Sequence, residues 1–352
     1  MKSLAKVVSL FGSLSDYGIS IVRIFLTGGT GLLGNNIIRQ SLERGWSVTA
    51  LVRDRSTPKS LSGLDVELIQ GDLNDRQALL AGVSQADAVV HAAAHIHLGW
   101  KFLDEAMQVN LKGTENVIAA ALHHSKPMVH ISTVNTLAVA TSDTVIDETS
   151  DGPEQVPCTY VVSKRAAEKA VYAAMERGLT AYMIHPGYVL GPWDWKPSSG
   201  RMVVELSRRW TPISPAGGCS VCDARDVADG ILTVLERGKP GRPYILAGEN
   251  MTYFDLWSRF AKVLGKRPPI IHVRAFGQFI GSRWADFTSR FRQGESDLNT
   301  AAMLMSSQFH YYSSRRAADE LGYQSRTADQ TIQDAVKWLT EYGYIAKQTT
   351  RQ

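Results

Sequence analysis

The chain has 352 residues, 44% of them apolar and 20% charged, with a formal net charge of +4. That length supports a sizeable core plus an elaborated substrate region. The small, dispersed charge gives no reason to expect a nucleic acid partner, and no apolar run reaches the length of a transmembrane segment. Three cysteines, Cys158, Cys219 and Cys222, are too few for a disulfide framework and fit a cytoplasmic location.

Residues 1–20 place Lys2 and Lys6 before a mixed stretch that Gly12, Ser13, Ser15 and Asp16 interrupt. With no small-residue cleavage site, this reads as an N-terminal extension and not a signal peptide. The folded unit then opens with an apolar run, Ile21 to Leu26, the glycine-rich turn Thr27-Gly28-Gly29-Thr30-Gly31-Leu32-Leu33-Gly34, and a helical run from Leu32 to Arg44 closed by Gly45. A strand, a turn free of side chains and a helix together bring backbone close to a dinucleotide pyrophosphate at the positive end of the helix. Gly28, Gly31 and Gly34 are the expected cofactor contacts, with Thr27, Leu32 and Leu33 beside them.

Strands follow at Ser47 to Val52 and Val66 to Ile69, then a helix capped by Asn74, a strand Ala88 to Ala92, and a helix from about Leu103 to His123. Next come a strand Met128 to Ile131, a helix carrying Tyr160 and Lys164 to about Arg177, and a strand Ala181 to Ile184. Alternation of this kind predicts a doubly wound, Rossmann-type α/β fold whose parallel sheet binds ligands at the carboxyl ends of its strands. Beyond Pro186 the pattern loosens, with prolines at 192, 197, 212 and 215, while a helix from Asp226 to Glu236 and a strand Tyr244 to Leu246 look like the main sheet again. The expected division is a dinucleotide-binding core over 21–187 and a smaller, interleaved C-terminal substrate lobe over 188–344. Segments near 222–248 return to the core, and 345–352 form a tail.

The end of the second strand bears on cofactor choice, because an acid there suits the ribose hydroxyls of NAD and an arginine suits the 2′-phosphate of NADP. Leu51-Val52-Arg53-Asp54-Arg55 favours NADP through Arg53 while Asp54 keeps NAD open; solvated loop charges are the plainer alternative. After the third strand, Asp72 in Gly71-Asp72-Leu73 is placed to accept from the adenine amino group, or to cap the next helix.

Tyr160-Val-Val-Ser-Lys164 sets a phenol and an ammonium four residues apart on one helical face. With Thr27 to Gly34, Asp72, Asn110 in Val109-Asn-Leu-Lys-Gly113, Ser132-Thr133, Pro186-Gly187 and Arg225-Asp226-Val227-Ala228, the chain from about Ile21 to Tyr344 resembles the extended short-chain dehydrogenase/reductase family. Within it the likeness is to the dihydroflavonol-4-reductase-like and hopanoid-associated sugar epimerase-like branch. It rests on Gly-Leu-Asp-Val-Glu near 65, Gly-Glu-Asn near 249 and Tyr-Ser-Ser near 313.

The resemblance implies a nicotinamide cofactor, NADP or NAD, and hydride transfer to or from a carbonyl. A phenol ionises near pH ~10, so Lys164 is expected to favour the phenolate of Tyr160 and also to hold the nicotinamide ribose. Tyr160 is the expected acid or base. Thr133, or Ser132 one residue away, would hydrogen-bond the reacting oxygen, and Asn110 would fix the helix and a relay water. Ala92, Ala93 and Ala94 are small residues over which the cofactor passes, with Leu73, Pro186 and Gly187 completing its contacts. The expected partners are a small-molecule carbonyl, alcohol or sugar substrate and, if the protein self-associates, a second copy in a homodimer.

The leading expectation is a ketone or aldehyde reductase, or oxidation of the matching alcohol. A sugar epimerase with retained NAD is the alternative, and a non-catalytic cofactor sensor on the same fold is a third reading. A dehydratase is disfavoured because Val134-Asn135 stands where that branch carries Asp-Glu after the active-site threonine.

No metal site is expected. Cys219-Ser-Val-Cys222 lacks a second pair, and His91, His95 and His97 read as loop or pocket histidines, with lining of the substrate cleft the alternative for His95 to Trp100. Trp193-Asp194-Trp195 is a substrate wall or a packed loop. Phe276 to Phe291 reads as a lid helix, or as a basic amphipathic helix on a membrane.

Overall fold

A computed structural model of the chain describes residues 23–54, 59–273 and 300–346. The 1–20 extension, the Phe276 to Phe291 segment and most of the 345–352 tail lie outside the described residues.

Seven parallel strands form the main sheet: β1 (Arg23–Thr27), β2 (Ser47–Val52), β3 (Glu67–Gln70), β4 (Ala88–His91), β5 (Met128–Ile131), β6 (Ala181–Pro186) and β10 (Pro243–Leu246). Their order is β10-β6-β5-β4-β1-β2-β3. The chain therefore reverses direction across the sheet between β1 and β4, which opens a crevice at the carboxyl ends of those two strands. Ile24, Phe25 and Leu26 of β1 are fully buried, as expected of a strand covered on both faces. Each such side chain contributes about 1.5–3 kcal/mol, so β1 is a strong anchor for the turn that follows it.

Helix α1 (Leu32–Glu43) packs against α7 (Ala224–Arg237) on one face of the sheet. Arg44 ties the pair together through Asp229 at 2.6 Å and Glu236 at 3.1 Å. Helix α2 (Arg76–Ser84) is capped by Asp75, which accepts from the Ala78 amide at 3.0 Å. The expected Asn74 cap is corrected by one position: the Asn74 amide instead donates to Asp72 Oδ1 at 2.7 Å, within the turn that leads into the helix.

The helix expected over 103–123 is interrupted. It runs as α3 (Leu103–Ala106), a π-helical turn (Met107–Lys112) and α4 (Gly113–His123). Side-chain periodicity does not report such a turn, because one inserted residue barely alters the apolar pattern.

A second, smaller sheet centres on β9 (Gly218–Asp223). Strands β11 (Glu249–Thr252) and β13 (Phe309–His310) flank it, and β7 (Tyr188–Leu190) pairs along its later half. Because β10 follows β9 in the chain yet pairs with β6, the two lobes are interleaved. Strands β8 (Ile213–Pro215) and β12 (Ile271–Val273) form a separate two-stranded ribbon. Helices α5 (Thr159–Met175), α6 (Arg201–Arg208), α8 (Tyr253–Val263), α9 (Thr300–Met305), α10 (Arg315–Leu321) and α11 (Ala328–Glu341) complete the described elements. Among the described residues no helix is long and apolar enough to cross a membrane.

Candidate active site

A cleft of about 1180 Å³ runs across the carboxyl ends of the parallel strands. Drug-sized pockets occupy about 300–1,000 Å³, so this one has room for a dinucleotide and a second molecule.

Its cofactor half begins at the glycine turn. Gly28 has φ +79°, and a Cβ there would stand 2.6 Å from the Ala93 amide nitrogen. At Gly34 a Cβ would stand 2.1 Å from the Gly28 carbonyl oxygen, so the turn and the helix touch backbone to backbone. Gly31 is different. It caps α1 with φ −82° and no side-chain cap bond, and a Cβ there would meet nothing nearer than Gly28 O at 3.5 Å. Protein packing does not require glycine at 31, and the open space lies over helix N–H groups that lack intrahelical partners. A pyrophosphate fits that cradle by charge and by room.

Arg53 is exposed and lines the cleft together with Gly71, Asp72 and Leu73. Asp72 Oδ1 also accepts from the Asn74 and Asp75 amides, which shapes the turn ahead of α2, while the cap itself is Asp75. Ala92, Ala93, Ala94, Pro186 and Gly187 line the cleft as well. Thr27 lies there too, but its hydroxyl is committed to His91 Nδ1 at 2.7 Å and the Ala93 amide at 3.3 Å.

Across the cleft, α5 presents Tyr160 and Lys164. Lys164 is buried and donates to the Ile131 carbonyl at the end of β5 at 2.7 Å. Tyr160 is hydrogen-bonded to the Thr133 side chain, whereas the Ser132 hydroxyl donates to Glu168. Thr133 is thus the hydroxyl beside the phenol. Burial pushes the Tyr160 phenol up to about 12, against the Thr133 hydrogen bond. Burial also pulls Lys164 down to about 8, with Glu168 opposing. Among the influences of the protein's own groups, burial is the largest on the phenol and keeps it protonated.

Asn110 sits in the π-helical turn, fully enclosed. It accepts from the His95 amide at 2.7 Å and donates to the His95 carbonyl at 2.9 Å and Ser163 Oγ at 2.8 Å. It therefore fastens the loop after β4 to the helix that bears Tyr160 and Lys164. The π-helical bulge turns its amide inward, a common use of such turns at functional positions.

His91 uses both ring nitrogens, on Thr27 and on Thr114 at 3.0 Å, and burial with Lys164 pulls it down to about 3. His95 and Ile96 line the cleft; His97 packs edge-on against Phe102 at 4.9 Å. Among the described residues no group of histidines, cysteines and acids is arranged to hold a metal. Cys219 and Cys222 are both buried and free.

The substrate half draws on Tyr188, Trp195, Lys196, Tyr253, Met305 and Tyr344, none singled out for this role in the sequence except Trp195. Trp195 serves both readings of its loop. It lines the cleft and packs edge-on against Trp338 at 5.1 Å, with Lys59 5.5 Å from its ring where the halves meet. Trp193 instead packs under the Arg39 guanidinium at 4.2 Å. Asp194 is buried and closes the loop by accepting from the Ser198 and Gly200 amides.

Glycine turn, switch-point crevice and a Tyr/Lys pair on one helix define a dinucleotide-binding α/β protein of the dehydrogenase type. A model of the NAD dependent epimerase/dehydratase family matches residues 24–247, and the chain belongs to that family, the extended short-chain dehydrogenases/reductases. It is similar to a Synechocystis sp. protein carrying a provisional dihydroflavonol 4-reductase name, at 32% identity over 92% of this chain and 96% of that one. Sterol demethylase protein B of Methylococcus capsulatus is 27% identical over 91% of this chain and 99% of its own. Among solved structures, a nucleoside-diphosphate-sugar epimerase from Pseudomonas aeruginosa superposes with a TM-score of 0.76 at 25% identity, covering 93% of this chain and 100% of that one.

Proposed function

We propose that the protein is an NAD(P)H-dependent reductase of an apolar ketone or aldehyde, with NADPH preferred. The observation that carries this reading is the geometry at Tyr160: its phenol is hydrogen-bonded to Thr133, lies one helical turn from Lys164 and lines the cleft, and with burial pushing it up it begins the cycle as an acid. A reductase needs that state. When bound, the cofactor supplies the hydride. Thr133 and Tyr160 then orient the carbonyl oxygen, and Tyr160 gives it the proton. Lys164, anchored on the Ile131 carbonyl, keeps a positive charge beneath the site.

The substrate half supports an apolar molecule over a nucleotide sugar. Of the lysines and arginines lining the cleft, Arg53 and Lys59 follow β2, Lys164 belongs to α5, and Lys196 alone belongs to the substrate half, among the described residues. A nucleotide sugar brings a diphosphate, best held by bidentate arginine contacts. Tyr188, Trp195, Tyr253 and Met305 offer apolar and aromatic surface instead. The name of the M. capsulatus relative, a sterol demethylase protein, is in keeping with a large apolar substrate.

The similarity to a sugar epimerase keeps a second reading, in which cofactor stays bound and hydride returns to the same carbon. The test is to add NADPH to the purified protein, follow thermal stability, and assay apolar ketones, aldehydes and nucleotide sugars for cofactor loss. Stabilisation by NADPH and its consumption with an apolar carbonyl are expected. Tightly retained NAD and activity confined to nucleotide sugars would reject the reductase.

A further inference from the structure

Tyr160, Lys164 and Glu168 are spaced by four on α5 and share one face of it. Glu168 is 14% exposed, and one of its oxygens, Oε1, is the focus of three donors from three separate segments. Ser132 Oγ donates from the end of β5, Thr136 Oγ1 at 2.6 Å from the following turn, and His185 Nε2 at 3.0 Å from β6. A carboxylate so enclosed is costly unless its charge is used or compensated. We propose that Glu168, clamped by Ser132, Thr136 and His185, is a positioning residue whose buried negative charge keeps Lys164 an ammonium and Tyr160 a phenol. The inference rests on reading Tyr160 and Lys164 as the proton-transfer pair.

Among the described residues, Glu168 is the acid whose charge acts on Lys164, and it acts on Tyr160 together with the Cys158 thiol. Lys164 acts on His91 of β4 and His130 of β5 and is acted on by Glu168 of its own helix, while His185 of β6 sits beside His130 and bonds Glu168. Burial and Lys164 pull His91 down to about 3 and His130 well below the ordinary histidine range, so both are neutral and add no positive charge. Burial alone would push the Glu168 carboxyl up, but His185, Ser132 and Thr136 outweigh it and hold the carboxyl below its usual range. Its charge opposes the loss of the Lys164 proton and raises Tyr160 and Tyr172 alike. Arg165 faces away, donating to the Thr136 carbonyl at 3.2 Å and pairing with Glu154 at 3.6 Å.

The network also explains why Ser132 and Thr133 differ in role. Ser132 is spent on Glu168, which fixes the end of β5 and so aims both the Ile131 carbonyl at Lys164 and Thr133 at Tyr160.

The test is NMR titration of the full-length protein labelled with [13Cε]lysine, Lys164 being assigned by its absence in Lys164→Arg. In the wild type the Lys164 resonance should titrate near pH 8. Glu168→Gln should lower that midpoint by roughly one unit, the scale of a lost neighbouring opposite charge. Glu168→Asp, which keeps the charge but shortens its reach, should fall between the two. Purely structural damage would lower the melting temperature of both variants without this ordering. An unchanged Lys164 midpoint in folded Glu168→Gln overturns the proposal. If that variant does not fold, an unchanged midpoint in Glu168→Asp does so. The readout needs neither substrate nor turnover, so its failure is distinct from failure to find a reducible carbonyl.

Discussion

In the cofactor half of the cleft the walls come from the carboxyl ends of β1 to β6 and the turns directly after them, whereas the substrate half gathers Tyr188, Trp195, Tyr253, Met305 and Tyr344 from segments scattered over more than 150 positions. The first half is dictated by backbone: Gly28 and Gly34 are glycine because a Cβ would strike main-chain atoms at 2.6 and 2.1 Å. The second is dictated by side chains, which can change without disturbing a strand. On the proposed reading, binding a common cofactor and choosing a particular substrate fall on structurally separate parts of one cleft, joined at Tyr160.

That division makes separable predictions. Tyr160→Phe should strike chemistry alone, lowering turnover by roughly 10²- to 10⁴-fold while calorimetric titration gives unchanged cofactor affinity. An equal loss of affinity would show that the two halves are not separable at this residue.

Gly31→Ala probes the cofactor half without the fold. Its backbone conformation suits alanine and its neighbours leave room, so thermal unfolding should stay within about 0.5 kcal/mol of wild type. Cofactor affinity should fall roughly 10- to 100-fold, the size of a 1–3 kcal/mol steric conflict. Unaltered affinity would mean that the cradle over the start of α1 is not where the pyrophosphate lies.

Arg53→Ala should weaken NADPH about tenfold more than NADH, since charge-assisted hydrogen bonds contribute about 1.5–3 kcal/mol. Equal losses would assign Arg53 to the solvated loop and leave NAD as the cofactor.

The pH profile sharpens the junction between the halves. Lys164 is pulled by burial to about 8, so the ammonium is present below that pH and lost as pH rises through it. The reductive rate should hold below pH 8 and fall by about tenfold per unit above it once Lys164 deprotonates. A rate independent of pH from 7 to 9.5 would remove Lys164 charge from the mechanism.

Legibility follows the same boundary. The strands and the positions of Gly28, Gly34, Tyr160 and Lys164 could be read because tight turns and helical spacing leave periodic or compositional marks. The π-helical turn that aims Asn110 inward left none, and the cap before α2 fell at Asp75 because Asn74 and Asp75 stand side by side and both suit the position. Glu168 was accessible in principle: it continues the four-residue spacing from Tyr160 and Lys164. Nothing local says that Ser132, Thr136 and His185 converge on it, because those contacts come from two strands and a turn. The substrate half was least legible, since tertiary contacts alone bring Tyr253 and Tyr344 to the cleft that Tyr160 faces.

The central claim, that hydride leaves the protein on a product, is tested most directly by supplying NADPH deuterated at the transferable position together with an apolar ketone. Deuterium should appear on the new carbinol carbon, in an amount equal to the NADPH consumed. Isomerised substrate with the label retained on bound cofactor, and no net NADPH loss, would contradict the reductase and establish the epimerase in its place.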